Sequence, residues 1–159
     1  MRYGHLRYDV PPDWEVEQVS SGGVKVPVAR YQRGFCKPHP TESLGTVILT
    51  TNPGISTAKE AVRVELQRSA DAFYPDRSHR VKVLDVKHKG AVAASAGNIT
   101  LAPSKDPCDG SSATIVVHGW TTSQSKGVNL LVAVGELGLK KSPDPGNLAR
   151  IANSLRGDD

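Results

Sequence analysis

Leu6-Arg7-Tyr8-Asp9-Val10-Pro11-Pro12-Asp13-Trp14-Glu15-Val16 places apolar residues at alternate positions, breaks at two prolines, and resumes the alternation from Trp14. A period of two is the mark of a half-buried strand. The stretch therefore predicts a strand over 5–10, a Pro-Pro-Asp corner, and a second strand beginning at Trp14. The far end of the chain answers it. In Asp144-Pro145-Gly146-Asn147-Leu148-Ala149-Arg150-Ile151-Ala152-Asn153-Ser154-Leu155-Arg156, an acidic cap precedes a proline at the first helical position. Leu148, Ile151 and Leu155 form an apolar stripe, and Gly157 is expected to stop the helix.

Between these ends the pattern is strands, one helix, then strands again. Val24, Val26 and Val28 alternate, and Pro27 among them predicts an edge or irregular strand. Thr46-Val47-Ile48-Leu49-Thr50-Thr51 is a short β-branched run, read as a strand covered on both faces. Thr57-x-x-Glu60 has capping-box spacing, and Ser56 beside it suits a helix entry. The helix it opens runs over 57–73 to Pro75, with Val62, Leu66 and Phe73 facing the sheet. From residue 80 the chain meanders through a turn at Lys87-His88-Lys89, a strand of small residues over 91–101, the central strand Thr114–Trp120, and a return over 128–134. The fold class is α+β: a mainly antiparallel sheet with two helices packed on it, over one domain spanning residues 1–159.

Composition narrows the function. The chain has 159 residues, long enough for a hydrophobic core without a metal staple. Its net charge of +4 comes from dispersed Lys and Arg with acids between them, which is a solvated surface rather than a nucleic-acid footprint. No run of 18 apolar residues marks a membrane span, and the N-terminus has no hydrophobic signal core. The two cysteines lie in turn-rich loops, Gly34-Phe35-Cys36-Lys37-Pro38 and Lys105-Asp106-Pro107-Cys108-Asp109-Gly110. Free core cysteines sit inside apolar runs, so the loop setting favours a Cys36–Cys108 disulfide over two unrelated thiols. Closing so long a loop stabilises by roughly 4 kcal/mol in the chain-entropy model, and it implies an oxidising compartment.

No arrangement of catalytic groups stands out. His118-Gly119-Trp120 is similar to an oxyanion segment of α/β-hydrolases, yet no G-x-S-x-G elbow supplies a nucleophile. The histidines are scattered without metal-binding spacing, no phosphate loop is found, and no cofactor is expected. Trp14 reads as core. Trp120 ends a strand before a polar turn and has two readings, core or partner-binding; with Thr121, Thr122 and Lys126 it is a candidate binding surface. The long loops 32–45 and 103–112 are the other candidate.

Tyr8-Asp9-Val10-Pro11-Pro12-Asp13-Trp14 and Ile151-Ala152-Asn153-Ser154-Leu155-Arg156 resemble the opening "y-x-v-P-x-x-W" and the closing "I-x-x-S-f/L" of the PsbP-like family. That α/β/α sandwich is shared by a photosystem extrinsic protein, a Ran-binding nuclear import factor and mycobacterial LpqN-type lipoproteins. More closely, the chain resembles an actinobacterial ectodomain family that follows a transmembrane helix and a Pro-rich linker and carries two loop cysteines. The resemblance implies a non-catalytic extracytoplasmic module of a longer membrane-anchored protein. Its partner would be a protein or cell-envelope ligand, not nucleic acid, and it would meet the membrane only through a tether outside this stretch. The alternatives are a hydrolase of unrecognised type and a cytoplasmic adaptor or immunity-type protein.

Overall fold

The computed structural model describes residues 1–3, 6–21, 23–55, 57–86, 92–121 and 127–157. Ser56, the turn at Lys87-His88-Lys89, Thr122 and Lys126 lie outside these. In chain order the elements are β1 (Arg2–Tyr3), β2 (Leu6–Arg7), β3 (Trp14–Ser21), β4 (Val24–Tyr31), β5 (Gly45–Asn52), α1 (Ala58–Phe73), β6 (His79–Val86), β7 (Val92–Leu101), β8 (Ser112–Trp120), β9 (Val128–Leu137), α2 (Pro145–Asn153) and β10 (Arg156–Gly157).

Seven strands form one sheet in the order β3-β4-β5-β9-β8-β7-β6, and every neighbouring pair is antiparallel. After β5, helix α1 carries the chain to the far edge, and the meander β6 to β9 returns to pair with β5. The expected α+β architecture is thus present, with α1 on one face and α2 on the other. Pro27 faces Gln18 of β3, while pairing of β4 with β5 begins only at Val28. The proline, which has no N–H to give, stands where β4 is paired on one side only.

Each face has its own core. Under α1, Val62, Leu66 and Ala70 pack on Ile99, Ile115, Val117, Leu130 and Val132. Small strand residues permit this close approach. A Cβ at Gly119 would stand 2.9 Å from Val62 Cγ1, and one at Gly97 would stand 3.0 Å from Leu66 Cδ2. On the other face Leu148, Ile151 and Leu155 pack with Tyr8, Trp14, Val47 and Leu131. The Trp14 and Tyr31 rings meet at 5.3 Å between centroids.

Both caps form as the residue types require. The Thr57 hydroxyl accepts from the Glu60 N–H, and the Asp144 carboxylate accepts from the Gly146 N–H at 2.8 Å.

Three expectations need correction. The opening strand is short, Leu6–Arg7, because the Asp9 N–H is taken by Ser154 Oγ at 2.8 Å instead of by a strand partner. Gly157 does not stop α2. The helix ends at Asn153, with Ser154 as its cap, and Arg156–Gly157 forms β10 against β2. Phe73 does not face the sheet. It is 39% exposed, since the last turn of α1 overhangs a cleft, and Tyr74 packs against the α1-side core in its place.

Candidate functional site

The loops 32–45 and 103–112 meet at the end of the sheet where β8 starts and β9 finishes. Cys36 and Cys108 lie side by side there as a disulfide pair, Cα atoms 5.7 Å apart, a spacing within the range a bridge requires. A second fastening lies next to it. His39 Nε2 is 2.9 Å from Asp106 Oδ2, and His39 Nδ1 is 3.6 Å from Glu42. The hydrogen bond to Asp106, aided by the Glu42 charge, raises the imidazole above its ordinary range. Asp106 is held low, first by the Cys108 N–H and then by His39.

Arg77, just past α1, ties the second loop to the strands. Its guanidinium donates to Ala102 O at 2.6 Å and to Gly110 O at 3.0 Å, and it lies 3.7 Å from the Glu136 carboxylate. Glu136 in turn accepts the Gly110 N–H at 2.6 Å. A Cβ at Gly110 would fall 2.3 Å from Leu137 O, so only glycine lets the loop reach the end of β9 this closely. Burial is the main cause that raises the Glu136 carboxyl, opposed chiefly by the Gly110 N–H and, more weakly, by Arg77.

These groups border a half-open cleft of about 570 Å³ between the last turn of α1 and the segment 41–46. That size is within the usual range of ligand sites. Arg30, Glu42, Thr46, Phe73, Arg77 and Glu136 line it, so an exposed aromatic stands among fixed charges of both signs. The histidines near this end are engaged with acids: His39 with Asp106 and Glu42, and His79 with Asp71 at 3.0 Å.

The second predicted surface lies elsewhere. Trp120 ends β8, the opposite end from the cleft, and pairs with Asn129. Its indole is half-buried, packs against the α2-side core and sits close to Gly157. Thr121 next to it is half-buried. His118 is buried in β8. The two regions singled out in the sequence are therefore not one site.

Sequence reasoning missed Arg77, Glu136 and the His39–Asp106 pair. Two signals were available: the spacings Cys36-x-x-His39 and Asp106-x-Cys108, which become one cluster once the cysteines meet, and a glutamate near the end of an otherwise apolar strand.

Among the described residues no helix is long and apolar enough to cross a membrane. No curated protein matches the chain. Among solved structures, the fold is similar to the solution structure of cyanobacterial PsbP (CyanoP) from Synechocystis sp. PCC 6803. That protein is 14% identical at a TM-score of 0.52, over 96% of this chain and 86% of that one. At such identity the likeness is one of fold, and it agrees with the PsbP-like layout expected from the two ends of the sequence. With a family profile matching residues 2–159, the chain belongs to the family described as Domain of unknown function (DUF8017).

Proposed function

We propose that this chain is a non-catalytic, extracytoplasmic binding module of a longer membrane-anchored protein, and that the cleft at the loop end receives a protein or cell-envelope ligand. The observation that carries this reading is the cleft's construction. One wall is the segment 41–46 of the first long loop and the other is the last turn of α1 with Arg77; the first loop is fastened to the second by Cys36–Cys108 and His39–Asp106, and Arg77 ties the second loop to the α1 wall. Loops held in advance lose little entropy when a partner docks. Phe73 offers apolar contact area, and Arg30, Glu42 and Glu136 offer directional polar contacts around it. Support for the compartment comes from the cysteine pairing and from the likeness to actinobacterial envelope ectodomains. Support for a binding role rather than turnover comes from His39 and His79 at this end, whose rings are committed to carboxylates and not to a nucleophile.

The test is retention of purified domain on envelope extracts and wall fragments. Wild type should be retained, Phe73→Ser and Glu42→Lys should lose most of that retention, and Trp120→Ala should keep it once its folding is verified. Equal retention of wild type and the cleft variants would remove the cleft from consideration, and no retention at all would count against the module. Turnover that survives purification and vanishes in His118→Ala would favour the hydrolase reading instead.

A further inference from the structure

We propose that the Cys36–Cys108 pair is half of a redox-gated zinc site, completed by His39 and Asp106. The donor atoms of His39, Asp106 and Cys108 all lie within 4.8 Å of one another, and Cys36 is bonded to Cys108 beside them. This set is independent of the cleft ligand, since none of the four residues lines the cleft.

The donors arrive as two pairs, each borne on a tight turn. In Cys36-Lys37-Pro38-His39 the His39 N–H donates to Cys36 O at 3.0 Å, which closes the turn and sets both side chains on the same side of the loop junction. In Asp106-Pro107-Cys108 the Cys108 N–H donates to Asp106 Oδ1 at 2.8 Å, leaving Oδ2 to face His39. Two turn-borne pairs converging from distant parts of a chain are how structural zinc sites are commonly assembled, and two thiolates, an imidazole and a carboxylate make a tetrahedral donor set suited to zinc.

In the oxidised protein this site is closed to metal. The two sulfurs are bonded to each other and offer no thiolate, and His39 and Asp106 are bonded to one another. A dithiol reductant opens it. Two electrons and two protons pass from the dithiol to the S–S bond, the dithiol closes to its own disulfide, and two protein thiols remain. Zn²⁺ then takes the place of the two thiol protons, which go to water, and of the His39–Asp106 hydrogen bond, whose proton leaves Nε2 for Nδ1 or, from an imidazolium, for water, so that His39 binds as the neutral ring. The loops stay joined in both states, by a covalent bond in one and by a metal in the other. The bound site carries a net charge of about −1, from one dication, two thiolates and one carboxylate.

The experiment uses the whole chain, reduced with a dithiol, freed of it by gel filtration under nitrogen, and titrated with Co²⁺ as a spectroscopic stand-in for Zn²⁺. The expected result is one equivalent of Co²⁺ bound with the visible bands of tetrahedral, thiolate-ligated cobalt, displaced by Zn²⁺ and absent in the oxidised protein. His39→Ala and Asp106→Ala should each weaken binding by more than the roughly 10–100-fold that changes outside the ligand shell cause. Far-ultraviolet circular dichroism of each species reports folding. Zn²⁺ should raise the thermal midpoint of the reduced wild type and leave that of reduced His39→Ala nearly unchanged. Three outcomes overturn the proposal: no tetrahedral bands in the reduced protein, bands of equal affinity in His39→Ala and Asp106→Ala (two thiols acting alone), or a reduced chain that is unfolded and not restored by either metal.

Discussion

The two ends of the sandwich are closed by different chemistry. Where the termini meet, the closure is chiefly apolar: Leu6 and Tyr8 from the start of the chain pack with Ile151 and Leu155 from its close. At the loop end it is polar and covalent: a cysteine pair, a His–Asp pair and an arginine holding two backbone carbonyls. An apolar closure spreads its stabilisation over many small contacts and fixes the fold. A closure by a few directional links leaves room for a cleft beside it and can be undone by reduction or by one substitution. The difference suggests a division of labour, with the terminus end setting the architecture and the loop end carrying the site.

The sharpest way to break this comparison is to empty the apolar closure. Tyr8 is fully buried in that core, so Tyr8→Ala should cost about 3–5 kcal/mol, read from the urea midpoint. Leu155→Ala, at the end of the same core, should cost about 2–4 kcal/mol. A negligible shift in either would mean that the terminus end is not what holds the sheet.

Opening the covalent link comes next. Cys36 and Cys108 are 72 residues apart, and the double variant Cys36→Ser/Cys108→Ser should lose about 2–4 kcal/mol, in line with a bridge that restricts the unfolded chain. Thiol counting by mass spectrometry in denatured, air-oxidised wild type should find no free thiol. Two free thiols would remove the bridge and with it the argument for an oxidising compartment.

A smaller effect of opposite sign is expected inside the α1 core. Glu65 sits on the buried face of the helix at 6% exposure, and its Oε2 has no hydrogen-bond partner. Burial raises its carboxyl above the ordinary range. A raised carboxyl means that the folded state holds the proton more tightly, so its contribution is most favourable at acid pH and is lost as pH rises through the unfolded and then the folded value. Glu65→Gln should therefore stabilise the domain at pH 7, by about 1 kcal/mol, and the gain should shrink towards pH 4. A loss of stability at both pH values would show that the carboxylate is needed where it is.

The comparison also explains what was legible in the sequence. The terminus end was readable because its signals are local: alternation at Leu6, Tyr8 and Val10, and helical spacing in Leu148, Ile151 and Leu155. The α1 register was readable up to Leu66 for the same reason. Phe73 was misplaced because periodicity says which side of a helix a residue is on, not where the sheet beneath it stops. The ends of β2 and α2 were missed because Ser154, 145 residues from Asp9, takes over a backbone N–H that local pattern assigns to a strand. The site was half-legible. The cysteines and long loops stood out by composition, whereas Arg77, Glu136 and the His39–Asp106 pair gain meaning only once residues far apart in sequence are brought together.

The smallest expected effect tests whether the terminus end is apolar in its energetics as well as in its contacts. Arg156 grips Asp9 with two hydrogen bonds, at 2.7 and 3.0 Å, and holds that carboxyl below its ordinary range. By geometry this is the most conspicuous polar contact between the two ends of the chain. Both partners are exposed, however, and water and salt screen such a pair. Arg156→Ala should accordingly shift stability by less than about 1 kcal/mol, several-fold less than Tyr8→Ala. The sign with pH is fixed: a depressed carboxyl contributes above its unfolded value and loses that contribution as pH falls through its folded value. The small gap between wild type and Arg156→Ala should therefore close in acid and narrow in high salt. A loss as large as that of Tyr8→Ala, or one insensitive to salt, would mean that the ion pair and not the apolar interlock closes this end, and the two ends would no longer differ in kind.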